Sequence, residues 1–221
     1  MTRLDIFSDP ICPWCYIGKT FLDRALESRP SHPFVIEWHP FQLNPAMPAG
    51  GVDRRSYLET KFGGKANAVA VYARIEEAAE AAGLKIDFAK IQRTPNTMNA
   101  HRLIHWAGLE QRQNAVVSAL FRAYFLEGLD IGVPEVLARI AGKAGMDEAV
   151  TARLLATDAD FDDIAARDAD ARRKGVQAVP TFLIARQYVQ SGAQPVVMWQ
   201  NVIDDLAAQD SVAAQTDKTA L

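Results

Sequence analysis

The chain is poor in cysteine, with only Cys12 and Cys15 among its 221 residues. A disulfide-stapled scaffold needs several bridges, so cysteine is not what holds this fold together. Positive charge is not in excess either. Lys and Arg number 24 against 27 Asp and Glu, a net charge of −3, which excludes the electrostatic footprint of a nucleic-acid binder. No run approaches the roughly 20 uninterrupted apolar residues that a membrane span requires. The opening stretch places Arg3 and Asp5 among Leu4, Ile6 and Phe7, so no signal-peptide core is read there. With 49% hydrophobic and 23% charged residues, the expectation is a soluble cytoplasmic protein with no nucleic-acid or membrane partner.

The two cysteines form the motif Cys12-Pro13-Trp14-Cys15. Two cysteines scattered at random would show this spacing in roughly 1% of cases, so the pairing calls for a chemical reason. Alternating Leu4, Asp5 and Ile6 predict a strand over Arg3 to Ser8, broken at Asp9-Pro10. Ile17, Phe21, Leu22, Ala25 and Leu26 then recur at the helical period. Proline suits the first helical position, so a helix is predicted from Pro13 to about Glu27. Phe34 to His39 reads as a second strand, rich in aromatic and β-branched residues.

From about Asp53 to Lys174 the chain is Ala-rich and reads as helices separated by glycine and proline. After Gly175 strands return, over Val179 to Ile184 and Tyr188 to Gly192, and a last helix covers about Pro195 to Ala208. The expected architecture is α/β. A sheet domain from residues 1–50 and 175–208 carries an inserted all-α subdomain over 53–174, with a flexible tail at 209–221.

A helix starting at Pro13 puts Cys12 at its N-cap, where free backbone N–H groups and the helix dipole favour thiolate over thiol. Cys15, one turn in, would be covered and protonated, close enough to bridge. An attacking thiolate beside a resolving thiol is what thiol–disulfide exchange requires. A structural zinc site would need about two further ligands. There is no third cysteine, and His32, His39, His101 and His105 form no second pair, so no metal is expected. Val179-Pro180, taken alone, reads as a loop proline. Opening an apolar strand after Gly175, a cis bond there would present the Val179 N–H and C=O to an extended substrate.

These blocks resemble the DsbA-type thioredoxin-fold dithiol oxidoreductases, in the cytosolic FrnE-like branch related to 2-hydroxychromene-2-carboxylate isomerases. The resemblance rests on Phe7-Ser8-Asp9-Pro10 leading into Cys12 to Gly18, on Trp38 to Pro45, and on Asn96 to Arg102. It continues through Gly175 to Phe182 and Ser191 to Gln194. It implies a thioredoxin fold (β-α-β then β-β-α) with a helical insertion. It also implies Cys12 as nucleophile, Cys15 as resolving thiol and a cis Pro180. Asn99 departs from the aspartate usual in the family, which leaves no charge role there, and Ala185-Arg186-Gln187 replaces a glycine-containing turn. The isomerase and kappa-class glutathione transferase relatives carry serine where Cys12 stands, so both cysteines together favour redox chemistry.

Pro13, Trp14, Val179, Asn44 and His101 are the candidate substrate-binding residues. Trp14 faces substrate or is partly buried. His101 and Arg102 lie near the site in the family, or form an ordinary helix-face pair with solvent or core contacts. Asn44 and Asn96 bond a peptide or glutathione, or serve turns and caps. Trp14 carries no charge, unlike the histidine of strongly oxidising relatives, so a couple less oxidising than the ~−120 mV of DsbA is expected. The expected partners are protein or small-molecule thiols and disulfides, glutathione among them as redox partner or co-substrate, with no required cofactor. A homodimer is the base-rate assembly. The alternatives are a glutathione-dependent isomerase or transferase, and a non-catalytic binding module.

Overall fold

The computed structural model describes residues 1–219, the last ten by their backbone alone. The frayed tail expected over 209–221 lies, apart from residue 209, outside the residues described with side chains. Strand β1 (Thr2–Ser8) pairs in parallel with β2 (Phe34–Pro40) and antiparallel with β5 (Thr181–Ile184), which pairs with β6 (Tyr188–Ser191). The sheet order is β2-β1-β5-β6. Parallel pairing of β1 and β2 requires a crossover, and helix α1 (Pro13–Glu27) supplies it.

The period-2 pattern of β1 sorts its side chains between the two faces of the sheet. Leu4 and Ile6 are fully buried, in the same core cluster as Phe182, Ile184 and Trp199. Trp199, on helix α9 (Val196–Thr219), meets the Phe182 ring edge-on at 4.8 Å. The opposite face is polar at the central strand. Asp5 is buried there between Arg3 Nε at 2.7 Å and His39 Nε2 at 2.6 Å.

Between β2 and β5 run α2 (Arg54–Phe62), α3 (Lys65–Ala81), α4 (Met98–Leu109), α5 (Gln113–Phe125), α6 (Pro134–Lys143), α7 (Glu148–Leu155) and α8 (Phe161–Arg173). This stretch is not purely helical. Strands β3 (Val52–Asp53) and β4 (Arg93–Thr94) form an antiparallel ribbon, each too short to leave an alternating pattern in the sequence. Helices α4, α5 and α8 pack on β2. One buried cluster runs from Leu4 and Trp199 through Leu103, Phe121 and Leu137. The helices therefore share the core of the sheet.

Polar pins fix the helices. Buried Arg102 donates to the carbonyls of Ala159 (2.6 Å), Leu154 (2.9 Å) and Thr157 (2.7 Å) and to Asn99 Oδ1 (2.8 Å), tying α4 to the end of α7 and the loop before α8. Asn99 thus serves as a neutral acceptor. On α8, Asp168 accepts from the Gln42 N–H at 2.7 Å and from Arg172 Nε at 3.0 Å, and the Arg172 guanidinium lies 4.1 Å from the Phe41 ring centre.

Candidate active site

Cys12 occupies the N-cap of α1 in an extended conformation (φ −85°, ψ 115°), with Pro13 opening the helix. Its carbonyl accepts from the N–H groups of Cys15 (3.1 Å) and Tyr16 (3.2 Å). No side chain caps this end and its first turn holds no acidic residue. The helix dipole is therefore uncompensated where the Cys12 sulfur sits. Both cysteines are free and buried, at 4% and 1% exposure. The Cys12 thiol donates to the Val179 carbonyl at 3.6 Å, across a cis Val179–Pro180 bond.

The two sulfurs interact. Burial pushes the Cys15 thiol well above its ordinary range, and the hydrogen bond and charge of Cys12 push it further. The Ser8 side chain and the Asp9 main chain act in the opposite sense. Gly18, one turn after Cys15, lets the helix approach the cis proline. A Cβ there would lie 3.1 Å from Pro180 Cγ and 3.3 Å from Ala193 Cα.

Of the residues singled out from sequence, Cys12, Cys15, Val179 and Pro180 meet at one point. Pro13 is buried beneath it, and Trp14 stands 39% exposed on the surface beside it. Asn44 is half-buried and its carbonyl accepts from the Met47 N–H at 3.1 Å, a turn contact. His101 is 3% exposed, in the interior of α4's packed face. Burial pushes its pKa down to about 4, Asp168 pulling weakly the other way, and its Nε2 has no hydrogen-bond partner.

In the sequence Asp9 reads as a strand breaker and has no assigned role in the site. Its main-chain oxygen accepts from the Cys12 N–H at 2.9 Å, and its carboxylate accepts from the N–H groups of Leu43 (2.7 Å) and Ile11 (3.2 Å). The carboxyl is fully enclosed. Burial raises its pKa to about 7; the Leu43 and Ile11 N–H groups and the Thr97 side chain oppose the rise, and the charge of Asp168 adds to it. Its place in the block before the cysteines was the available signal.

Among the described residues, one set has metal-ligand spacing: Asp5, Glu37 and His39, on the polar face of the sheet. Arg3 already engages both carboxylates, at 2.7 Å each, so a cation would have to displace it. No described helix is long and apolar enough to cross a membrane.

Comparison with known proteins agrees with this geometry. The crystal structure of a probable DsbA oxidoreductase, SCO1869 from Streptomyces coelicolor, is 28% identical, with a TM-score of 0.81 over 93% of this chain and 89% of that one. The cytosolic disulfide reductase DsbM from Pseudomonas aeruginosa shares the fold at 18% identity (TM-score 0.68, 94% and 99% covered). So does a 2-hydroxychromene-2-carboxylate isomerase at 16% identity (TM-score 0.73, 96% and 98% covered). The family description "DSBA-like thioredoxin domain" matches residues 3–204, and the chain belongs to that family.

Proposed function

We propose that the protein is a cytoplasmic thiol–disulfide oxidoreductase working through Cys12-Pro13-Trp14-Cys15. One observation carries this reading: the Cys12 sulfur sits at an uncapped helix N-terminus, in contact with the Cys15 thiol and the Val179 carbonyl. A thiolate at Cys12 attacks one sulfur of a substrate disulfide, and the other sulfur leaves as a thiolate that takes up a proton. Cys15 then loses its proton and attacks Cys12, which releases the second substrate thiol. The substrate gains two electrons and the Cys12–Cys15 pair becomes the disulfide. A thiol reductant such as glutathione restores it.

Burial of Cys15 supports the division of labour, since a thiol held protonated waits until a mixed disulfide is in place. The Val179 main chain would receive an extended segment and Trp14 would cover it. No cofactor is needed for these steps. With no cation between the cysteines, the couple should be less oxidising than DsbA, which suits reduction or isomerisation in the cytosol.

Trapping tests the assignment. Cys15→Ser should accumulate mixed disulfides through Cys12, and Cys12→Ser should abolish insulin reduction. Absence of any mixed disulfide, with protein or with glutathione, would remove the catalytic role. Isomerisation of a small aromatic substrate surviving in Cys12→Ser would favour the glutathione-dependent alternative.

A further inference from the structure

Away from the cysteines, a cavity of about 340 Å³ opens between α2, α3 and the turn at Phe88–Lys90. Its apolar wall is made by Leu58, Val69, Tyr72, Phe88 and Ile91, and neither cysteine nor Val179 lines it. Arg54 also lines it, although the residue is only 7% exposed. The guanidinium lies 4.8 Å from the Tyr72 ring centre and 5.4 Å from that of Phe88. No carboxylate and no hydrogen-bond acceptor among the described residues engages it.

That is an unusual place for an arginine. The side chain stays charged in any protein environment, and charged side chains are seldom buried unless they are paired. Ring faces attract the cation, but they supply no oxygen acceptor, so its N–H donors are left open to the cavity. The two acids on the cavity wall are otherwise engaged. Asp53 accepts from the Ser56 N–H at 2.9 Å, and Glu59 pairs with Arg55 at 3.0 Å. Lys65, which opens α3, adds a further cation with no ion-pair partner among the described residues.

We infer that this cavity binds a small carboxylate with an apolar body, the carboxylate on Arg54 and the body against Tyr72, Phe88 and Leu58. One enclosed guanidinium matches one negative charge, and the fork of its N–H groups suits a carboxylate. A phosphate monoester would bring a second charge that only the rim could meet.

The probe is 1-naphthoate, titrated calorimetrically into the whole protein, with 1-naphthalenemethanol as the uncharged isostere and 1-naphthyl phosphate as the dianion. One naphthoate should bind per chain, the alcohol at least about tenfold more weakly and the phosphate no more tightly. Arg54→Gln should weaken naphthoate at least about tenfold. Val69→Trp changes a residue that is 61% exposed and should block the cavity without disturbing the core. If Arg54→Gln does not fold, Val69→Trp and the uncharged isostere decide. The site is independent of the thiol chemistry, so a protein with both cysteines changed to serine should bind naphthoate unchanged. No binding at millimolar naphthoate, equal binding of the alcohol, tighter binding of the phosphate, or unchanged affinity in the folded variants would each overturn the assignment.

Discussion

Replacing Asp9 with asparagine should change how stability depends on pH by an amount fixed by the enclosure of that carboxyl. In the native protein the group ionises at about 7, against an ordinary 3.8. Because the folded value is the higher one, the unfolded chain releases its proton first. Stability from this group is full below about pH 4 and is lost as pH rises to 7. The total loss is roughly 4 kcal/mol, of which roughly 1.5 kcal/mol is already gone at pH 5. Asparagine keeps one oxygen acceptor and turns its NH2 toward a backbone N–H, a pH-independent cost of about 1–3 kcal/mol. Relative to the parent, Asp9→Asn should therefore gain about 3 kcal/mol between pH 5 and pH 8. Urea unfolding of both reduced proteins, followed by tryptophan fluorescence at the two pH values, measures this difference. The parent curve alone would mislead. His101, with its folded pKa near 4, loses stability in the opposite direction as pH falls below 6.5. Its loss reaches about 2 kcal/mol by pH 5 and nearly hides the Asp9 effect. Parallel stability curves for variant and parent, within about 1 kcal/mol, would refute the reasoning.

Three further changes separate the parts of the structure. His101→Gln should gain about 2 kcal/mol relative to the parent on going from pH 8 to pH 5, measured by the same unfolding. Gly18→Ala puts a methyl 3.1 Å from Pro180 and 3.3 Å from the Ala193 backbone, and helix propensity returns only about 1 kcal/mol. It should slow insulin reduction more than it lowers the unfolding midpoint, and an unchanged rate would show that the helix does not set the position of the cis proline. Arg172→Ala leaves Asp168 enclosed without its cation and should cost about 3 kcal/mol in urea, partly recovered by Arg172→Lys.

The elements nearest the cysteines were legible because their signals are local. Proline at the first helical position and the spacing of Ile17, Leu22 and Ala25 predict α1 as it stands, from Pro13 to Glu27. The alternation of Leu4, Asp5 and Ile6 predicts β1 and which residues face the core. What was not legible depends on partners far along the chain. Asp9 reads as a turn residue until Leu43, 34 residues away, is found donating to it. His101 reads as a site histidine or as a helix-face residue with solvent or core contacts, and only the closing of the fold over α4 decides for the core. Arg54 opens a polar helix and shows no sign of enclosure before Tyr72 and Phe88 come to lie beside it.

These distant partners show how the cysteine turn is held. Helix α1 brings no side-chain cap of its own. The turn before it is fixed by Asp9, whose carboxyl reaches the loop after β2 through Leu43 and the start of α4 through Thr97. That loop is tied in turn to α8, through Gln42 and Asp168, and to Thr97 and Asn96 through the Gln42 side chain. The position of Cys12 against Val179 is thus set by the helices between β2 and β5 as much as by the sheet. An insertion that only covered the site could be loosened without moving the sulfurs. One whose buried polar groups share a carboxyl with the turn before Cys12 cannot, because slackening α4 or α8 frees the residue whose main chain holds the Cys12 N–H and touches the Cys15 sulfur.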